Sequence, residues 1–375
     1  MIILVSSFYV SCSLFQADPN FKITVDTTAR ADYGLSYPIT YEFSLPAAAT
    51  DLTVYEKKAI SDSWTQIPTM TSDDFFNGVD AVRFDYTNDF AYVSVAFHSD
   101  SDDIFLLFKD SGRNLIEGVS FIQITNYYDN RKAACVITAD DWIDRTHSYF
   151  KSACDAFQSR QIWFSPGLEP SALIATAWAE IQAELDEGYI EPVSHSRTHP
   201  NVPYDDYDAE VGGSKQDIIN NLNLPSLNKK GSAEYVYAWT APYGQSDAML
   251  RSKLGTYKYL EDTAGGFSKN YGSFPSWNAT DNLYTTWNRW AFAENKTASE
   301  MNAKWDTDYA AGNIYHLGMH PIYLSWETGS EIVNHLDYIK GKKDVWYVGM
   351  GHLFVYHYAK EQKKVNIEVF VPVHE

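Results

Sequence analysis

The run Thr138-Ala139-Asp140-Asp141 ends the apolar stretch AACVITA with two adjacent carboxylates. Further on, Ser194-His195-Ser196-Arg197-Thr198-His199-Pro200 ends the stretch YIEPVSH with two histidines four positions apart. Imidazoles at that spacing share one side of a helical turn. One added carboxylate completes a two-His, one-carboxylate set that binds a divalent metal and leaves positions open, with zinc the default expectation. Adjacent aspartates allow a division of labour. One can ligate the metal while the other accepts a proton from water whose pKa the metal lowers toward about 7. Without a cation the two charges repel, and the competing structural role is capping of a helix expected near WIDRTHSYF.

Such residues meet only if the elements that carry them converge. AACVITA is continuously apolar, the mark of a strand buried on both faces in a parallel sheet. After it, helical patterns near THSYFKSACDAFQSR, SALIATAWAEIQAELDEG, SKQDIINNLN, SDAMLRSKLG and GSEIVNHLDYIKGK alternate with the strand patterns QIWFS, YIEPVSH, EYVYAWTAP, YKYLEDT, NIYHLGMH and VWYVGM. That alternation predicts a parallel α/β architecture, open or closed into a barrel, with its site at the carboxyl ends of the strands. His320 ends NIYHLGMH, and Trp239, Pro242 and Tyr243 end EYVYAWTAPYG, so they join the two pairs as candidates. His316 shares a face with His320 by strand alternation and competes for its role.

Upstream the grammar differs. FKITVDTTA, YPITYEFSL, DLTVYEKK, AVRFDYTN, AYVSVAFHS, DIFLLFKD and GVSFIQITNYY alternate apolar with polar residues and predict seven strands with no helix between them, a sandwich-like accessory domain over residues 19–129. Residues 130–375 form the α/β domain. The closing run VNIEVFVPVHE reads as a strand able to join a sheet in either half, with His374 exposed to solvent.

The 29 basic and 49 acidic residues give a net charge of −20, which disfavours nucleic acid and anionic membrane as partners. Eleven Trp and 27 Tyr suit stacking on flat sugar rings as well as core filling. The opening MIILVSSFYVSCSLF is shorter than the roughly 20 apolar residues of a membrane span and reads as the apolar part of an export signal without its basic start, with an ordinary first strand as the competing reading. Residues 1–18 are thus expected to be a signal segment, and the protein secreted or at the cell surface. Cys12 stands where a lipoprotein signal carries its Cys, but Tyr9 replaces the usual Leu. Cys135 and Cys154 leave the redox compartment open, and Asn278-Ala279-Thr280 and Asn295-Lys296-Thr297 fit the N-glycosylation pattern.

Taken together, Thr138-Ala139-Asp140-Asp141, His195-Ser196-Arg197-Thr198-His199, Ala241-Pro242-Tyr243-Gly244 and Met319-His320 resemble, in order and spacing over about residues 131–355, the successive motifs of the polysaccharide deacetylases, the NodB-homology family of carbohydrate esterases. The resemblance implies a distorted (β/α) barrel, here preceded by the sandwich-like domain, and a divalent metal, most often Zn2+ with Co2+, Ni2+ or Mn2+ also accepted. It implies Asp140 as general base, Asp141, His195 and His199 as metal ligands, Tyr243 as the backbone N–H donor to the oxyanion, and His320 as general acid.

Four positions depart from the family pattern. Ala139 stands where an aromatic residue is usual, Trp142 where Gly is, Gly318 where Leu is, and Thr240 where an Arg normally holds the catalytic base. The fourth motif, an Asp followed by Trp, has no clear counterpart; Trp277, Trp287 and Trp290 are candidates for its hydrophobic wall. The expected function is hydrolysis of N- or O-acetyl groups from a polysaccharide or oligosaccharide. Thr240 motivates one alternative, a glycan-binding protein on an inactive deacetylase scaffold, and the β domain another, a structural surface protein.

Overall fold

A computed structural model of the chain describes residues 18–47, 49–97, 101–262 and 289–370, with the backbone alone at 261–262. The β-branched and aromatic runs of the first third form β1 (Phe21–Val25), β2 (Ile39–Ser44), β3 (Thr53–Lys57), β4 (Thr65–Gln66), β5 (Thr69–Met70), β6 (Ala81–Asp85), β7 (Phe90–Val95), β8 (Asp103–Lys109) and β9 (Ser120–Ile124). Two stretches depart from the seven expected strands: β4 and β5 are two-residue strands outside those runs, and a helix replaces the end of the first. Residues read as the end of the first strand form helix α1 (Thr27–Tyr33), because the Asp26 carboxylate accepts the Ala29 N–H at 2.8 Å and caps its start.

The alternating part continues with β10 (Ala133–Trp142), α2 (His147–Gln158), β11 (Ser165–Leu168), α3 (Ala175–Glu187), β12 (Val193–Ser194), α4 (Ser214–Asn221), β13 (Lys229–Lys230), β14 (Ala233–Glu234), β15 (Ala238–Trp239) and α5 (Ala248–Thr256). It ends with β16 (Glu261–Asp262), α6 (Ala298–Ala311), β17 (Ile314–Met319), α7 (Glu331–Ile339), β18 (Val345–Tyr347), α8 (Met350–Glu361) and β19 (Val365–Val369). The strand read from QIWFS lies further along the chain. Its ladder begins at Ser165, and Phe164 joins only through an isolated bridge to Ile190.

Seven of these strands build a parallel half-barrel, ordered β16-β15-β12-β11-β10-β17 with β18 also on β10. β10 is its hub. β17 pairs along Ala134–Ala139, while β18 pairs with Ala133–Cys135 and β11 with Thr138–Trp142. Alternation along β10 sends Ala134 and Val136 into one apolar core, and Cys135, Ile137 and Ala139 into a second. The second core is covered by α2, α3, α6 and α7 through residues such as Phe157, Trp178, Trp305 and Leu336. Burial on both faces is why AACVITA carries no polar alternation.

The earlier strands form two five-stranded sheets, β19-β1-β8-β3-β4 and β5-β6-β7-β2-β9. Phe43 of the second touches Phe21 and Phe108 of the first, with ring centroids 4.7 and 5.2 Å apart. The closing strand β19 pairs antiparallel with β1 along its whole length. Met350–Ala359 of α8 are all buried, many of them in the core those sheets share with β10.

Candidate active site

The carboxyl end of β10 carries the paired aspartates. Simple alternation would send adjacent side chains to opposite faces. Instead the ladder to β11 shifts register between Ala139 and Trp142, and Asp141 takes a φ of 69°. This bulge turns both carboxylates toward one imidazole. Asp140 Oδ1 lies 3.9 Å from His195 Nδ1, and Asp141 Oδ1 lies 3.3 Å from His195 Nε2. Ser196, His199 and Tyr243 also have positive φ, at 64°, 60° and 57°. Left-handed backbone at non-glycine residues costs energy and gathers at functional sites.

His195 follows β12 and is almost fully buried. Its Nδ1 lies 2.7 Å from the Thr240 carbonyl oxygen, to which it donates, so Nε2 is directed at Asp141. His199 Nε2 reaches the same Asp141 oxygen at 3.4 Å. A residue not anticipated from the sequence completes the cluster. Glu169, just past β11, places a carboxylate oxygen so that one donor atom each from Asp141, Glu169, His195 and His199 lie within 4.8 Å of one another.

The electrostatics of this cluster fit a cation. Burial, with the neighbouring Asp141 charge, pushes the Glu169 carboxyl up to about 7 despite attraction from His195. Burial works against ionisation of Asp141 as well, but its hydrogen bond to His195 and that ring's charge hold it below the usual carboxylate range. His195 is held above its ordinary range, because Asp140 and Asp141 outweigh its desolvation. Burial and the His195 charge lower His199. Carboxylates and imidazoles gathered this closely are the donor types that could hold a divalent metal.

Asp140 is not left without a holder. Arg289 Nη2 donates to Asp140 Oδ1 at 2.7 Å, Nη1 donates to Oδ2, and Nε donates to Thr138 Oγ1 at 2.8 Å. This buried two-pronged pair overcomes the desolvation of Asp140 and, with His195, holds its carboxyl well below the usual range. The arginine missing at Thr240 is therefore supplied from another segment. Gly318 explains the route, since a Cβ there would collide with Arg289 Cδ. Thr240 instead orients His195 through its carbonyl and, at 2.8 Å, its hydroxyl.

His320 follows β17 and faces Asp141, with Nε2 3.9 Å from Oδ2. Its Nδ1 donates to Glu294 Oε1 at 2.6 Å, and the Phe292 ring packs on it at 4.6 Å. Burial alone would lower its pKa, but Glu294, Asp140 and Asp141 leave it raised. Arg289, Phe292 and Glu294 all belong to one segment laid parallel to β17, tied by Trp290 N–H to the His316 carbonyl at 2.8 Å and Gly318 N–H to the Ala291 carbonyl at 3.0 Å. Tyr243 is exposed and sets its ring edge-on to His199 at 4.5 Å.

The remaining histidines and aromatic residues near these strand ends lie elsewhere. His316 is buried with Nε2 at 3.1 Å from Thr138 Oγ1, one residue pair deeper than His320. Trp290 packs toward Tyr315, so the wall beside His320 is Phe292. Trp239 is buried against Tyr259. His147 accepts from Trp142 Nε1 at 3.0 Å and meets Glu180 at 2.8 Å on the outside of the site. In the Tyr204–Tyr207 loop, Tyr204 is a core residue and the Tyr207 hydroxyl donates to Asp247. Cys135 and Cys154 are free and buried. Trp277, Trp287, the Asn278 glycosylation pattern, Cys12 and His374 fall outside the described residues. Among the described residues no helix is long and apolar enough to cross a membrane.

No protein-family profile matches the chain. Among solved structures it is similar to polysaccharide deacetylases of carbohydrate esterase family 4, the family its motifs resemble. A Mycobacterium smegmatis structure assigned as a polysaccharide deacetylase is 14% identical, covers 68% of this chain and 99% of its own, and has a TM-score of 0.43. The peptidoglycan deacetylase PdaC of Bacillus subtilis is 15% identical over 62% of this chain and 95% of its own, with a TM-score of 0.36. A family 4 acetyl xylan esterase of Clostridium thermocellum, in complex with a cobalt ion, is 14% identical over 59% and 90%, with a TM-score of 0.35. A curated protein, the general negative regulator of transcription subunit 1 of Schizosaccharomyces pombe, is 31% identical over 90 residues, 24% of this chain, which spans 4% of that protein's length.

Proposed function

We propose that the protein is a metal-dependent deacetylase that hydrolyses N- or O-acetyl groups of a polysaccharide or oligosaccharide, working outside the cell or at its surface. The observation that carries this reading is that Asp140, clamped by Arg289, and His320, clamped by Glu294, each lie 3.9 Å from a member of the Asp141–His195–His199 cluster. Arg289 favours the ionised form of the Asp140 carboxylate, and Glu294 with the two aspartates favours the protonated form of the His320 ring. That pairing suits proton removal on one side of a reacting carbonyl and proton delivery on the other.

A divalent ion held by Asp141, His195 and His199 would polarise the acetyl carbonyl and acidify an attacking water. Asp140 takes the proton of that water. The Tyr243 backbone N–H would donate to the oxygen of the tetrahedral intermediate and stabilise its growing charge. His320 Nε2 gives its proton to the departing sugar amine or alcohol, while Glu294 fixes the ring and stabilises its charged form. Acetate and a deacetylated sugar leave.

The inactive-scaffold alternative draws its support from Thr240, and Arg289 at Asp140 favours turnover over it. Acetate release from a panel of N- and O-acetylated glycans tests the proposal. Release from one class identifies the substrate. No release from any acetylated glycan by the folded, metal-loaded protein would reject the enzyme reading in favour of binding.

A further inference from the structure

We infer that Glu169 is a fourth protein ligand to the cation of the Asp141–His195–His199 cluster, making it a two-His, two-carboxylate site for a metal that takes five or six ligands. This rests on the reading of that cluster as a metal site and assigns it a donor beyond the aspartate and histidines of the motifs.

Topology puts Glu169 there. β11 lies between β10 and β12 in the half-barrel, so the residue leaving its carboxyl end emerges between the Asp141 bulge and His195. The Glu169 N–H donates to the Trp142 carbonyl at 3.3 Å, which ties its backbone to the end of that bulge. The residue is 7% exposed, and a carboxylate oxygen of it lies within 4.8 Å of one of Asp141.

Two carboxyl groups brought together out of water are costly unless a proton or a cation lies between them. Donors bound at about 2.1 Å to one ion stand at most about 4.2 Å apart. The 4.8 Å limit on the four donor atoms is therefore within about half an ångström of a closed set. Four protein donors would saturate a tetrahedral ion and leave no room for a substrate carbonyl or water. An ion comfortable with five or six ligands, such as Mn2+, Co2+ or Ni2+, keeps positions open beside the same four donors.

The test is titration of the metal-stripped full chain with Co2+, followed by calorimetry and by visible absorption, which separates four-coordinate from five- or six-coordinate cobalt by band intensity. Wild type is compared with Glu169→Gln, Glu169→Asp and His195→Ala, each checked for folding by circular dichroism. Glu169→Asp keeps the charge but withdraws the oxygen by one methylene. Both Glu169 variants are expected to weaken Co2+ binding at least about tenfold and to change the absorption bands, with wild-type cobalt giving the weak bands of a five- or six-coordinate ion. Wild-type affinity and spectrum in Glu169→Gln, alongside lost binding in His195→Ala, would overturn the inference and leave the three-residue site standing. Weakening in Glu169→Gln but not in Glu169→Asp would also overturn it, as an effect of charge alone. Absence of binding by wild type would remove the metal site and this inference together.

Discussion

Gly318 and Arg289 fit one another: the missing side chain on β17 is the space through which the guanidinium passes to reach Asp140. Two departures from the family pattern, Thr240 and Gly318, are thereby linked. With no arginine at 240, one arrives from residue 289, and the bulky residue usual at 318 would block it.

Gly318→Ala is expected to displace Arg289 and cost about 100-fold in kcat, the scale of a misplaced catalytic group, while metal affinity stays near wild type. Steady-state kinetics and a metal titration on the same protein check this. Wild-type kcat in Gly318→Ala would show that Arg289 does not need that space.

Arg289→Ala leaves Asp140 buried and without its partner. Breaking such a pair typically costs about 3–5 kcal/mol, so urea unfolding should show a large loss of stability as well as of turnover. A variant as stable as wild type would mean that the pair contributes nothing to holding the site.

Asp140 and Asp141 divide their labour across one peptide bond. Asp141→Ala or His195→Ala is expected to abolish metal binding, whereas Asp140→Asn keeps the metal and loses turnover. Equal metal loss in all three would erase that division.

The Glu294 carboxylate favours the protonated form of His320. A general acid works while protonated, so its rate limb falls as pH rises through its pKa. Removing the anion in Glu294→Gln lowers that pKa, so the alkaline limb should move to lower pH, and kcat should drop by up to about 100-fold. An unmoved limb would separate Glu294 from the proton donor.

Much of this site was legible. Asp140, Asp141, His195, His199 and His320 stand at strand ends, and strand ends can be read from apolar runs. Glu169 escaped because QIWFS looked like the strand, whereas the ladder runs Ser165–Leu168 and so ends immediately before Glu169. Arg289, Phe292 and Glu294 escaped for another reason. Their segment joins the sheet through isolated contacts with β17, and no periodicity marks it. Helix α8 is buried along ten consecutive residues and shows no polar face for a 3.6-residue period to reveal. Helix α6 was not anticipated either, although a Thr297–Glu300 capping box stands at its start.

His335 offers a stability test away from the site. It is buried between the Tyr315 hydroxyl at 3.0 Å and Asn302 Oδ1 at 2.8 Å, and burial lowers its pKa from 6.5 to about 3. Below pH 6.5 the unfolded chain takes up a proton that the folded chain refuses, so this group's stability contribution is lost as pH falls from 6.5 toward 3. One such proton is worth about 1.4 kcal/mol per pH unit. His335→Gln should reduce the slope of unfolding free energy against pH between 6 and 4.5 by about that amount. An unchanged slope would mean that the ring is protonated inside the fold.

The most direct test of the central claim is acetate release from an acetylated glycan by the protein stripped of metal with a chelator and then reloaded with cobalt. The expected result is release only after reloading, in wild type but not in Asp140→Asn. Release that survives chelation, or that persists in Asp140→Asn, would contradict the chemistry assigned to this site.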